Sequence, residues 1–143
     1  MIKIHPHFST KTQEIKEIIS DPEYRHEIAT GTFERTGASW RKLANMFKMN
    51  GCLIRQGLIP EKIYLDVYGY NVILSWQAVE EIIAILRRRL GPTVYENFEY
   101  LYMRAKFNAA KYPNGTYPRK MPQAVLKDKW AEKDAPVTQQ ISQ

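Results

Sequence analysis

The chain has 143 residues and 16.8 kDa, 44% hydrophobic and 25% charged, proportions that exclude collagen, a coiled-coil fibre, a disulfide-stapled miniprotein and a wholly disordered chain. A folded chain of this size removes roughly 68–70% of its unfolded surface from water, enough for one self-sufficient core. Lys and Arg number 21 against 15 Asp and Glu, and the resulting +6 at pH 7 permits an acidic or nucleic-acid partner without requiring one.

Apolar residues recur at three- and four-residue spacing from about Thr12 to Tyr112, and two-residue alternation never persists, so the expected fold is all-α. A first helix is expected from Thr10 or Thr12, each a plausible N-cap, burying Ile15, Ile18 and Ile19. Asp21-Pro22-Glu23 then supplies a cap, a residue suited to the first turn and a charge that complements the helix dipole. The second helix carries Tyr24 and Ile28 and stops near Gly31. From Phe33 to Gln56, Phe33, Trp40, Leu43, Ala44, Phe47, Gly51 and Ile54 share one face at 100° per residue, which implies one long helix or two joined near Gly37. Gly37 and Gly51 lie on that apolar face although each costs ~1 kcal/mol relative to Ala, and close approach of a partner helix is the expected compensation.

Gly57 is the expected C-terminal cap, followed by a short helix opened by Ile59-Pro60-Glu61, carrying Ile63, Leu65, Val67 and Tyr68, and closed by Gly69. Between Asn71 and Leu90 the stripe is Val72, Trp76, Val79, Ile83, Leu86 and Leu90. Ile73, Leu74 and Ile85 lie outside it, the pattern of a helix central in the domain or at a subunit contact. Gly91-Pro92 marks a stop and restart. The last helix is expected to run to about Tyr112 with Val94, Phe98, Leu101, Tyr102, Ala105 and Ala109 inward, paired antiparallel with the preceding one as a hairpin. Residues 1–112 thus read as a compact multi-helix domain and 113–143 as an extended, basic, proline-containing tail, partly disordered, with few large apolar groups beyond residue 127.

The Gly-Leu-Ile-Pro turn at 57–60, the Tyr-rich segment after it, the Trp-containing helix ending Leu86-Arg-Arg-Arg89 and the run Tyr95-Glu-Asn-Phe-Glu-Tyr-Leu101 together resemble a family of small prokaryotic helical proteins known only as a domain of unknown function, over about residues 20–110. The resemblance implies an all-helical fold and, in some members, an N-terminal membrane anchor, for which the segment from Met1 to His7 supplies no apolar run. It implies no activity.

Few residues carry the signature of chemistry. Glu23-x-x-His26 has the spacing of half a di-metal carboxylate motif, but no second pair exists, and His5 and His7 precede the helices, so no metal or other cofactor is expected. Glu96, Glu99, Glu80 and Glu81 read as solvated. Cys52 reads as a structural thiol, without a second cysteine for a disulfide. Nucleophile-elbow, phosphate-loop and dinucleotide fingerprints are absent, and the strand they need is absent from the pattern. Asn114-Gly-Thr116 reads as a turn. With no catalytic constellation, no secretory signal and no uninterrupted run near the ~18 apolar residues of a membrane span, a non-enzymatic cytoplasmic protein is expected.

Two binding surfaces suggest themselves. Tyr100, Met103 and Phe107 form a second face on the last helix, awaiting the tail or another chain. The tail offers Met121, Val125, Leu126 and Trp130, the last three spaced to fit about one helical turn, so protein interaction or self-association is the first functional expectation. The alternative is a nucleic-acid-binding module in which Arg87, Arg88, Arg89, Arg104, Lys106, Lys111, Arg119 and Lys120 join Tyr112 and Tyr117 as a basic aromatic surface. Arg87 and Arg89 flank the apolar stripe, where their stems would cover core edges while the heads reach water.

Overall fold

A computed structural model describes residues 7–32 and 39–135, and for residues 7–11 the backbone alone. The described residues form five helices and no strand: α1 (His7–Ile18), α2 (Pro22–Thr30), α3 (Ser39–Arg55), α4 (Glu61–Leu90) and α5 (Glu96–Lys111). Phe33 and Gly37 lie outside the described residues, as do His5 and the tail beyond residue 135.

The expected punctuation holds at α2 and α3. Asp21 caps α2 by accepting from the Glu23 N–H at 3.0 Å, Pro22 occupies the first turn, and Gly31 ends the helix at φ 80°. At the end of α3 the Leu58 N–H reaches the Leu53 carbonyl and the Gly57 N–H that of Ile54, with Gly57 at φ 76°. This is the Schellman arrangement, which satisfies carbonyls the helix leaves open.

Three boundaries differ from expectation. α1 begins at His7, ahead of Thr10 and Thr12, because no glycine or proline interrupts the chain between Pro6 and Pro22. Gly69 closes nothing: α4 is one continuous 30-residue helix. One interior glycine costs only ~1 kcal/mol, less than packing on both sides of it returns. α5 starts at Glu96, because Tyr95, at φ 57°, turns the chain out of the Gly91-Pro92 corner. Leu90 and Ala109, placed on apolar stripes by spacing, are exposed, and so are Ile63 and Val67.

α4 is the axis of the domain and touches all four other helices. Val72, Val79, Ile82 and Ile83 are closed from solvent along it. Its contacts with α5 run in opposite directions along the two helices, from Arg87 against Glu99 near the corner to Trp76 stacked on Tyr102 at 5.4 Å. Phe98 fills the centre, 5.3 Å from Phe47 and edge-on to Trp76 at 5.2 Å. Gly51 shows why the apolar face of α3 tolerates glycine: a Cβ there would lie 2.1 Å from the backbone oxygen of Asn97 on α5. Burial holds the Tyr64 hydroxyl neutral, its pKa pushed up to about 12 against the opposing bond it accepts from Asn50 Nδ2 at 2.7 Å.

Ser75 sits fully buried on α4, and its Oγ meets no hydrogen-bond partner among the described residues. An unmet buried hydroxyl is destabilising, and Ala is also the better helix former. Ser75→Ala is therefore expected to raise stability by about 1 kcal/mol, read as a higher urea midpoint with an unchanged slope; a lower midpoint would show that the hydroxyl is satisfied.

Candidate interaction surface

Because α4 is continuous, residues 63, 67, 70 and 74 recur at spacings of four, three and four, placing Ile63, Val67, Tyr70 and Leu74 on one side of the helix. Further along, that same side carries Gln77, Glu81 and Arg88, all exposed, while Ala78, Ile82 and Ile85, buried, lie round to one flank of it. In the first half this exposed side is apolar. Ile63 stays 66% exposed and Tyr70 65%, with Val67 about half exposed between them. Reading Gly69 as a stop hides this stripe in the sequence, since it divides the four residues between two helices.

The flank of the stripe is shaped by the end of α5 and the chain after it. A groove of about 440 Å³ is lined by Lys62, Ile63, Asp66, Val67, Asn108, Tyr112 and Thr116. The Thr116 hydroxyl donates to the Asp66 carboxylate, pinning the root of the tail beside the stripe, and Gly115 turns the chain there at φ 84°. From Thr116 onward the tail lies outside the helical body. Met121, Val125, Leu126 and Trp130 are exposed, Val125 at 99%. Residues 122–128 form no helix or strand, and a turn follows in which Asp128 caps the Trp130 N–H at 3.0 Å. Val125 and Leu126 consequently do not share a helical turn with Trp130, because the turn begins only at its Asp128 cap.

On α5, Met103 and Phe107 stand exposed as the spacing predicts. Tyr100 does not join them in the open: it is half-buried, with the Arg55 guanidinium 5.4 Å from its ring centre.

The structure divides the basic set. Arg87 does not send its head to water; Nη1 pairs with Glu99 at 2.6 Å and Nε donates to the Val94 carbonyl at 3.0 Å, fastening the α4–α5 corner. Glu99, expected to be solvated, is its partner. Arg104 grips Glu61 with two bonds of 2.8 and 2.7 Å, which hold the Glu61 carboxyl below the usual range. Lys106 and Lys111 lie over the rings of Tyr102 and Tyr112, at 5.3 and 5.4 Å. Arg89 packs its guanidinium about 3 Å from where a Gly31 Cβ would sit. Arg88, Arg119 and Lys120 remain exposed. Arg89 instead shares a separate cleft of about 490 Å³ with Arg41, Lys48, Tyr95 and Glu96.

Among the described residues no three His, Cys, Asp or Glu side chains gather to hold a metal ion, and no helix is long and apolar enough to cross a membrane. Glu23 and His26 lie exposed on α2, and Cys52 is half-buried. The chain belongs to DUF4760, a domain of unknown function, whose family model matches residues 4–105. No curated protein and no solved structure gives a significant match.

Proposed function

We propose that this DUF4760 member is a non-enzymatic helical interaction domain that engages a protein surface through α4. The observation that carries the reading is the exposed apolar stripe on the first half of that helix, where Ile63, Val67 and Tyr70 stand on a side that turns polar, with Gln77, Glu81 and Arg88, in the second half. Single exposed apolar residues are ordinary, but a contiguous stripe bordered by polar residues such as Lys62 and Asp66 has the anatomy of a binding site. The carboxylates Glu61 and Glu99 are held by arginines, which supports a binding role over acid–base catalysis. We place the domain in the cytoplasm, where its single cysteine stays reduced.

The nucleic-acid alternative gains little support here, since Arg87 and Arg104 are neutralised by carboxylates and a phosphate would have to displace them.

A photo-crosslinking residue placed at Val67 in the producing cell tests the proposal, with adducts identified by mass spectrometry. It is expected to give a discrete protein adduct. Val67→Asp is expected to leave thermal unfolding within ~0.5 kcal/mol of the parent, as an exposed position should, and to weaken the association at least about 100-fold by placing a charge in an apolar contact. Phe107→Asp is expected to weaken it about tenfold. Absence of any protein adduct from Val67 would overturn the reading.

A further inference from the structure

Resting on the proposed interaction surface, we infer that its occupant is the tail of a second copy of this chain, the two copies exchanging residues 117–135 across a two-fold axis near the Asp66–Thr116 bond. Four observations lead there. The tail is rooted beside the exposed apolar stripe: Thr116 lines the same groove as Ile63 and Val67 and is bonded to Asp66 between them. A segment that starts at the receiving surface can cross to an identical surface on a neighbour while the neighbour's tail crosses back, which gives a closed, self-complementary pair and no open chain of subunits.

The tail is also built to leave its own body. Pro118 and Pro122 bias their neighbours to extended backbone, and the Tyr117 hydroxyl donates to the Pro122 carbonyl at 3.2 Å, holding that stretch as a unit. Residues 122–128 belong to no helix or turn, and a segment of that length can reach about 23 Å, beyond the ~16 Å that residues 63–74 occupy along a helix. Leu126, 88% exposed, makes almost no contact with the domain it belongs to.

The exposed areas match in scale. The uncovered parts of Ile63, Val67 and Tyr70 with those of Tyr117, Met121, Val125, Leu126 and Trp130 come to roughly 1,000 Å² per chain, against the ~800 Å² per partner that a standard stable interface buries. The charges are compatible with the pairing: Lys127, Lys129 and Lys133 accompany the apolar residues of the tail, and Asp66, Glu80 and Glu81 lie along α4.

The test is sedimentation equilibrium of the full chain, which is expected to show a dimer of twice 16.8 kDa. A stripe variant, Val67→Asp with Tyr70→Asp, and a tail variant, Leu126→Asp with Trp130→Asp, alter exposed positions and are expected to keep the parent's circular dichroism and melting. Each alone is expected to raise the dimer dissociation constant at least 100-fold. Their equimolar mixture is expected to re-associate, since one intact tail then faces one intact stripe, a recovery that a stripe-on-stripe contact would not give. Should an aspartate disturb folding, serine at the same four positions makes the same comparison.

A tail variant that dimerises like the parent, or a mixture no more associated than its components, would overturn the exchange. So would a monomeric parent, including one in which the Val67 crosslink joins residues 117–135 of the same molecule. A monomer whose Val67 crosslink captures a different protein defeats the exchange and leaves the interaction surface standing, whereas a monomer with no adduct defeats both.

Discussion

Trp40→Ala is expected to destabilise the domain by about 4–5 kcal/mol, near the top of the range for truncating a buried aromatic. The indole is 2% exposed at the start of α3, and its Nε1–H donates to the hydroxyl of Tyr24, itself wholly buried on α2, at 2.7 Å. Removing it leaves a cavity and also strips a buried hydroxyl of its partner, a further cost of about 1 kcal/mol or more. Trp40→Phe restores most of the apolar volume without the N–H and is expected to cost only about 1–2 kcal/mol. Urea unfolding of the two variants, together with Tyr24→Phe and the double variant, isolates the hydrogen bond as a coupling of about 1 kcal/mol. Equal midpoints for Trp40→Ala and Trp40→Phe would mean that the site collapses around the smaller side chain and that the indole is not an anchor.

Gly51→Ala is expected to cost about 2–3 kcal/mol, although alanine is the better helix former by nearly 1 kcal/mol. The added Cβ would lie 2.1 Å from the oxygen and 2.8 Å from the carbon of the Asn97 carbonyl, and both are backbone atoms. Relief therefore requires α3 and α5 to part, which strains the Phe47–Phe98 stack and the bond from Arg55 Nη1 to Asn97 Oδ1 at 2.7 Å. Gly69→Ala is the matched control. A Cβ there meets nothing within 4 Å, and this helix-interior glycine is expected to gain up to about 1 kcal/mol on substitution. Opposite signs at the two glycines would show that close approach decides the outcome; the same sign at both would refute that account.

Much of the site could not be read from sequence for a reason visible at Gly69. A helix-breaking residue weakens a helix by a small, local amount, and whether the helix continues depends on what packs on either side. Stopping at Gly69 assigns Ile63 and Val67 to a separate short helix and conceals that they stand in line with Tyr70 and Leu74. Arg87 was obscured differently. Three consecutive arginines at a helix end suggest a solvated cationic cluster, and only the folding of Val94 and Glu99 back against the helix makes one of them a staple.

Local chemistry was sufficient to determine the helical class, the Asp21-Pro22 start and Gly31 end of α2, the glycine cap at 57, the burial of Trp40, Phe47, Trp76 and Phe98, and the need for a close neighbour at Gly51. Each follows from backbone geometry or from periodicity within a turn or two of helix, which a sequence carries in full. Tertiary structure alone decided which apolar face is left without a neighbour. Ile63 and Ile82 are equally hydrophobic and belong to one helix, yet neighbouring helices close over Ile82 and leave Ile63 66% exposed, so Ile82 is core and Ile63 is surface. Burial of a side chain is set by where other elements end in space, and no local pattern records that distance.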